Sequence, residues 1–175
     1  MNEVMENMKT RRSVRAFVPD RMPARDLVEA VAEAGTYAPT GRGAQSPLIV
    51  VVTSKAVRDR LSELNAAVLG VNTDPFYGAP VVLVVLADRS RPTYLYDGSL
   101  VMGNLMNAAH ALGLGSCWIH RAKEVFDSDE GKALLHDWGI EGDYEGIGHC
   151  VLGYAAEGAV RDAAPRKEGY VRFVE

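Results

Sequence analysis

Arg11-Arg12-Ser13-Val14-Arg15-Ala16-Phe17 (RRSVRAF) packs three arginines, a hydroxyl and two apolar anchors into seven residues. If residues 11–15 are extended, side chains alternate between two sides. Arg11, Ser13 and Arg15 then share one side, with two guanidinium groups and a hydroxyl on it. Arginine's forked donors match the oxygens of a phosphate. The same cluster also suits the end of a helix, where cations offset the macrodipole, or a solvated face. It stands out because the 175-residue chain as a whole is acidic, with a formal net charge of −4. Nothing global therefore points to nucleic acid or to an anionic membrane.

Upstream of this segment, residues 2–10 read as a short helix with Val4, Met5 and Met8 on one face. Downstream, Pro23 opens a helix carrying Leu27, Val28, Val31 and Ala34, and Gly35 is expected to end it. A Gly/Pro-rich loop, residues 37–43, leads to a strand at 47–53 (PLIVVVT). Ser54 is the expected cap of a helix with Val57, Leu61, Leu64 and Val68 at helical spacing. A second buried strand is expected at 80–87 (PVVLVVLA). A long helix carries Leu100 to Leu112, and a short strand covers 116–120. Leu134, Leu135 and Trp138 mark another helix, residues 149–154 (HCVLGY) a third central strand, and residues 169–175 a terminal strand. Continuous apolar strands imply a sheet covered on both faces. Helices alternating with strands first suggest a doubly wound parallel sheet, although periodicity fixes neither strand order nor direction.

With 47% hydrophobic and 24% charged residues, the composition fits one globular domain over residues 1–175. The N-terminal residues lack the order of a signal peptide, and no apolar run approaches the roughly 20 residues of a membrane span. Cys117 and Cys150 form no CxxC and read as reduced, buried thiols of a cytoplasmic protein. GxGxxG fails at Trp118, and GxxxxGK[ST], HExxH and GxSxG do not occur. The four histidines show no metal-ligand spacing.

Three further groups carry chemical interest. Arg161, Arg166 and Lys167 flank Pro165 and form either a solvated basic tail or one that folds back on an anion site. The loop Pro39 to Gln45 is either an ordinary connection or a place where glycine backbone approaches a flat ligand, with Gln45 supplying a donor and an acceptor. In residues 113–121 (GLGSCWIHR), Trp118 belongs to the core or stacks on a cofactor, and the strand end offers free backbone N–H groups.

Taken in order, RRSVRAF (11–17), APTGRGAQSP (38–47), DGSLVMGNLMNAAHALGLGSCWI (97–119) and GIGHCVLGY (146–154) resemble the nitroreductase family of flavoproteins over essentially the whole chain. The resemblance implies an α+β fold with a mixed, mostly antiparallel central sheet flanked by helices, in place of the parallel one. It implies an intertwined homodimer with FMN at the subunit interface, and the segment 169–175 extending across the partner. It also implies an FMN-dependent oxidoreductase that uses NAD(P)H to reduce nitroaromatics, quinones or similar small acceptors in ping-pong fashion, the flavin N5 carrying the chemistry and no side chain assigned as catalytic.

By this resemblance Arg11, Ser13 and Arg15 hold the phosphate and ribityl region, with Arg12 adjacent. Arg166 and Lys167 join from the tail. Pro39, Thr40, Gly41 and Gly43 approach from the other subunit, and Gln45 falls on a family glutamine. The backbone of Trp118, Ile119, His120 and Arg121 lies along the isoalloxazine, an N–H near His120 reaching N5. Two positions depart from the family pattern, which often has asparagine at Gly43 and Pro-Trp at Ser46-Pro47. Asn65 and Asn72 both qualify for the family asparagine on the pyrimidine side. Two other functions remain open: a flavin-binding or flavin-modifying protein without NAD(P)H-driven turnover, and a non-catalytic sensor of a phosphate ligand.

Overall fold

A computed structural model describes residues 2–175. Its centre is the apolar run Val81–Asp88 (β2), whose first seven residues are all buried. On one side β2 pairs with Pro47–Val52 (β1), on the other with Tyr144–Gly153 (β4), and β4 pairs with Gly115–Ile119 (β3). The order is β1-β2-β4-β3 and every neighbouring pair is antiparallel. The doubly wound parallel arrangement is thus corrected to the antiparallel α+β one.

The connections explain why helices alternate with strands here without a parallel sheet. After β1, the helix Lys55–Leu69 (α3) runs down one face, and the loop 70–80 returns the chain to the end it left. After β3, two short helices, Ala122–Asp127 (α5) and Asp129–Asp137 (α6), double back in the same way. The helix Tyr94–Ala111 (α4) joins β2 to β3, which run in the same direction with β4 inserted between them.

One face of the sheet packs Val82, Val84, Ile119 and Val151 against Leu61, Phe76, Val125, Phe126 and Leu135. The other packs Leu83, Val85, Cys150 and Leu152 against Arg25–Thr36 (α2) and α4, through Val28, Val31, Val101, Met102 and Leu105. Glu3–Thr10 (α1) lies on α4, with Asn7 Nδ2 donating to the Asn107 carbonyl at 3.0 Å.

Several local expectations change. Gly35 does not end α2, which runs to Thr36. A Cβ at Gly35 would lie 2.7 Å from both Ile49 Cδ1 and Leu105 Cδ2, so glycine there admits close packing. Ser54 occupies the cap position of α3, but its side chain makes no capping bond. Helix α4 begins at Tyr94, earlier than the apolar pattern indicated, and α5 was not foreseen. Residues 169–175 form no strand and are exposed, Phe173 at 89%. A strand needs an edge to pair with, and this segment meets none within its own chain.

Glycine also governs how α5 meets the sheet. A Cβ at Gly146 in β4 would stand 2.3 Å from the Ala122 carbonyl oxygen at the start of α5. Gly146→Ala is therefore expected to lower stability by roughly 1–3 kcal/mol, as overpacking does. Urea denaturation followed by circular dichroism measures it, and an unchanged midpoint would contradict this packing.

Candidate functional site

Residues 11–18 run along the edge of the sheet. Ser13 bridges Ser116 in parallel, Val14 N–H donates to the Ser116 carbonyl at 2.9 Å, and Phe17 bridges Ala155. Val14 is 3% exposed and seats its side chain against Gly115, where a Cβ would lie 3.0 Å from it. With Val14 turned inward, residues 11, 13 and 15 fall on the other side. Ser13 and the guanidinium groups of Arg15 and Arg11 all act on the Cys117 thiol. Burial pushes its pKa up, and Arg15, Ser13 and Arg11 pull in the opposite direction.

The two readings of the arginine cluster divide between its members. Arg12 Nη1 donates to the carbonyls of Lys9 at 2.8 Å and Arg11 at 2.6 Å, so Arg12 closes the C-terminus of α1. Arg11 is the C-cap residue by its backbone, and its Nη1, like Arg12 Nε, is buried with no hydrogen-bond partner. Arg15 is exposed and has no acidic partner among the described residues. A buried unpaired guanidinium nitrogen is costly and calls for an acceptor. A cavity of about 480 Å³ opens beside the segment, lined by Arg12, Ser13, Arg15, Glu157 and Arg161. Arg166 and Lys167 do not line it. Arg166 donates to the Ala164 carbonyl at 2.6 Å, and Lys167 Nζ lies 5.0 Å from the centre of the Tyr170 ring. The tail cation brought to the cavity is Arg161.

At the far end of β3, Ile119 is buried and Trp118 packs over Gly148, where a Cβ would lie 2.4 Å from Nε1. Ile119 belongs to the core, and Trp118 is half-buried against it. His120 is exposed. Arg121 adopts φ 73, ψ 12 and leads into α5.

Asn65, fully buried on α3, donates to the His120 carbonyl at 2.8 Å and accepts from Arg121 Nε at 3.1 Å. Its amide is thus engaged inside the protein, whereas Asn72 is exposed and lines a separate cleft with Arg58 and Asp74. Neither Asn65 nor His149 was given a role at this turn from sequence alone. The available signal was a polar residue at 65, one turn after Leu61 on an apolar face.

The glycine loop lies elsewhere. Gly41 N–H donates to Asp97 Oδ1 at 3.0 Å, and Thr93 Oγ1 donates to Asp97 Oδ2 at 2.9 Å, which pins the loop to the start of α4. A Cβ at Gly41 would meet Thr93 Oγ1 at 2.3 Å. Thr40 Oγ1 accepts from Gln45 N–H at 3.0 Å, and Arg42, Gly43 and Gln45 all have positive φ. Pro39 immediately precedes this pinned turn. The arginine segment sits at the other end of α4, where His110 Nε2 and Thr10 Oγ1 are 2.9 Å apart. Thirteen helical residues separate Asp97 from His110, about 20 Å at 1.5 Å per residue. One chain does not bring the loop and the arginines together.

An antiparallel sheet covered by helices on both faces and edged by an N-terminal basic segment makes this an α+β protein. The chain belongs to the nitroreductase family, whose model matches residues 8–154. A crystal structure of a nitroreductase with bound FMN from Bacteroides fragilis is 30% identical, with TM-score 0.90 and full coverage of both chains. One from Desulfitobacterium hafniense, at 24% identity and TM-score 0.88, has the same fold. An Archaeoglobus fulgidus protein provisionally named NADH dehydrogenase/NAD(P)H nitroreductase is 30% identical over 124 residues, 68% of each chain. A Methanothermobacter thermautotrophicus protein of the same name is 28% identical over 120 residues, and the match spans 66% of this chain and 60% of that one.

His149, on β4, is fully buried between Phe76 and Phe126, at 5.1 and 5.9 Å between ring centres. Burial first, then the charge of Arg121, drives its pKa down to about 3, against a smaller upward pull from the Ile119 carbonyl. The folded value lies below the ordinary 6.5, so the unfolded chain takes up a proton first as pH falls. The stabilising contribution is complete above pH 6.5 and is lost progressively down to about 3. Between pH 7.5 and 5 the protein should lose about 2 kcal/mol of stability from this residue. His149→Gln should flatten that slope in denaturant titrations at the two pH values. An equal slope in both proteins would assign the effect to other groups.

Proposed function

We propose that the chain is an FMN-dependent NAD(P)H oxidoreductase that works as a homodimer and reduces nitroaromatics, quinones or similar small acceptors in a ping-pong sequence. The observation that carries this reading is the cavity lined by Ser13, Arg15, Arg12 and Arg161 in a segment where guanidinium nitrogens of Arg11 and Arg12 are buried without partners. These donors fit the FMN phosphate. From Ser116 to His120 the strand spans about 13 Å, a length that suits a phosphate at one end of β3 and a ring at the other. The FMN bound in the Bacteroides fragilis relative supports the same cofactor here.

When bound, FMN supplies a ring that accepts hydride from NAD(P)H and passes reducing equivalents to the acceptor. The chain's own residues do the rest. Arg11 and Arg15 neutralise the phosphate, and Ser13 adds a hydroxyl. The main chain of residues 118–121 offers polar groups to the ring edge. The Arg121 cation, held by a neutral amide, favours negative charge nearby. Arg166 and Lys167 reach the phosphate only if the tail is rearranged from its present local contacts. Pro39, Thr40, Gly41, Gly43 and Gln45 serve the ring from a second copy, as the family resemblance implies. Exposed apolar side chains on α1 (Val4, Met5, Met8), on α4 (Leu95, Tyr96, Leu100) and on the tail (Tyr170, Val171, Phe173) support that pairing. Cys117 and Cys150 lie on opposite faces of the sheet as free thiols, in keeping with a cytoplasmic setting.

The test is direct. The purified protein should be a yellow dimer by sedimentation, and anaerobic NADH or NADPH should bleach it, with colour restored by a quinone. Bound flavin that NAD(P)H does not bleach would leave a flavin-binding or flavin-modifying protein. A colourless protein that fails to bind added FMN would overturn the reading altogether. Arg11→Ala with Arg15→Ala should weaken FMN binding at least about 100-fold, since each charge-assisted bond contributes roughly 1.5–3 kcal/mol. Arg12→Ala should weaken FMN binding less than the double variant does and lower thermal stability, as loss of a helix-end contact does. Fluorescence titration separates the two variants.

A further inference from the structure

Arg121 is the joint between β3 and α5, and it stands in the left-handed region at φ 73, ψ 12, which L side chains rarely adopt. Its carbonyl accepts from Val125 N–H at 3.0 Å, closing the first turn of α5. On the far side of that turn, the Ala122 carbonyl is close against Gly146. The strained residue is therefore gripped by helix on one side and strand on the other.

What holds the joint from within is one side chain. Asn65 Nδ2 donates to the His120 carbonyl at 2.8 Å, and Asn65 Oδ1 accepts from Arg121 Nε at 3.1 Å. The two ends of the carboxamide have opposite polarity, so this pair of bonds fixes which end faces which residue. Burial makes the exchange costly to break, because a lone Asn65 amide would lose both partners away from water. The His149 ring closes the amide's third side, with Nδ1 at 3.4 Å from Asn65 Nδ2. Arg121 forms no ion pair among the described residues, so the neutral amide is the partner that orients its cation.

We propose that Asn65 is a positioning residue for the His120–Arg121 turn, holding its strained main chain and the Arg121 guanidinium in the single arrangement that the flavin meets. The role toward flavin rests on the proposed oxidoreductase function; the local clamp does not. Asn65 acts through the turn and touches neither donor nor acceptor.

A double-mutant cycle with Arg121→Gly tests this, because glycine takes the left-handed conformation without strain. In flavin-free protein, Asn65→Ala should speed amide hydrogen exchange across residues 118–123 about tenfold or more. In the Arg121→Gly background the same substitution should change exchange by less than about threefold. In holoprotein, Asn65→Ala should slow anaerobic flavin reduction by NAD(P)H about tenfold, with FMN affinity held within about threefold, and the effect should again shrink beside Arg121→Gly. Should Asn65→Ala fail to fold, Asn65→Asp, which keeps an acceptor for Arg121 and loses the donor to His120, replaces it in the same cycle.

Equal exchange rates in wild type and variant, or equal effects in both backgrounds, would overturn the proposal. A protein that binds no FMN would sink the oxidoreductase reading, and the exchange cycle would still decide the clamp. A normal exchange cycle with FMN affinity lost in step with rate would refute the positioning of the flavin by Asn65.

Discussion

One buried valine governs how the basic segment works. Val14 hangs its backbone on Ser116 and its side chain on Gly115, and an extended chain then has no freedom over where residues 11, 13 and 15 point. A one-residue slip would send Arg12 and Val14 to the ligand side and bury two arginines. Phe17, bridged to Ala155, locks the register at the other end. The charge cluster is thus set by apolar packing, and its electrostatics follow from that packing.

The second constraint is length. Helix α4 is a straight strut whose start carries Asp97, the buried carboxylate that collects Gly41 and Thr93, and whose end meets α1 and the arginines. Eighteen residues extend about 27 Å. Apolar side chains on α1, on α4 and in the tail are exposed.

Much of this was legible in the sequence, and the reasons differ by element. The alternation at 11–15 and the buried run of β2 are local patterns, and they hold in the structure, whereas β1, read as buried, is an edge strand only half-buried over Pro47–Val50 with Val51 exposed. Strand direction was not local. It depends on the return loop 70–80 and the doubled helices α5 and α6, which no period reveals. The start of β4 was hidden by Gly146 and Gly148, which look like loop residues and are instead places where Ala122 and Trp118 press on the strand. The arginine cluster read as either clamp or helix end; Arg12 donates to the helix-end carbonyls, and Arg11 and Arg15 have no acidic partners among the described residues. Asn65 was visible as a polar intruder on an apolar helix face, but its partners lie 55 and 56 residues away. In the tail, the cation beside the clamp is Arg161, because Arg166 and Lys167 are engaged locally.

The proposed sharing of each site between two copies has a genetic consequence. In a two-fold pair, each site would take its arginines from one copy and its loop from the other. A copy damaged only at Arg11 and Arg15 and a copy damaged only at the Gly41 loop would each be inert as a pure population. Mixed, they would form heterodimers in which both lesions fall in one site and the other site is whole. Two defective alleles would then restore up to one working site per pair, a complementation pattern that follows from that sharing.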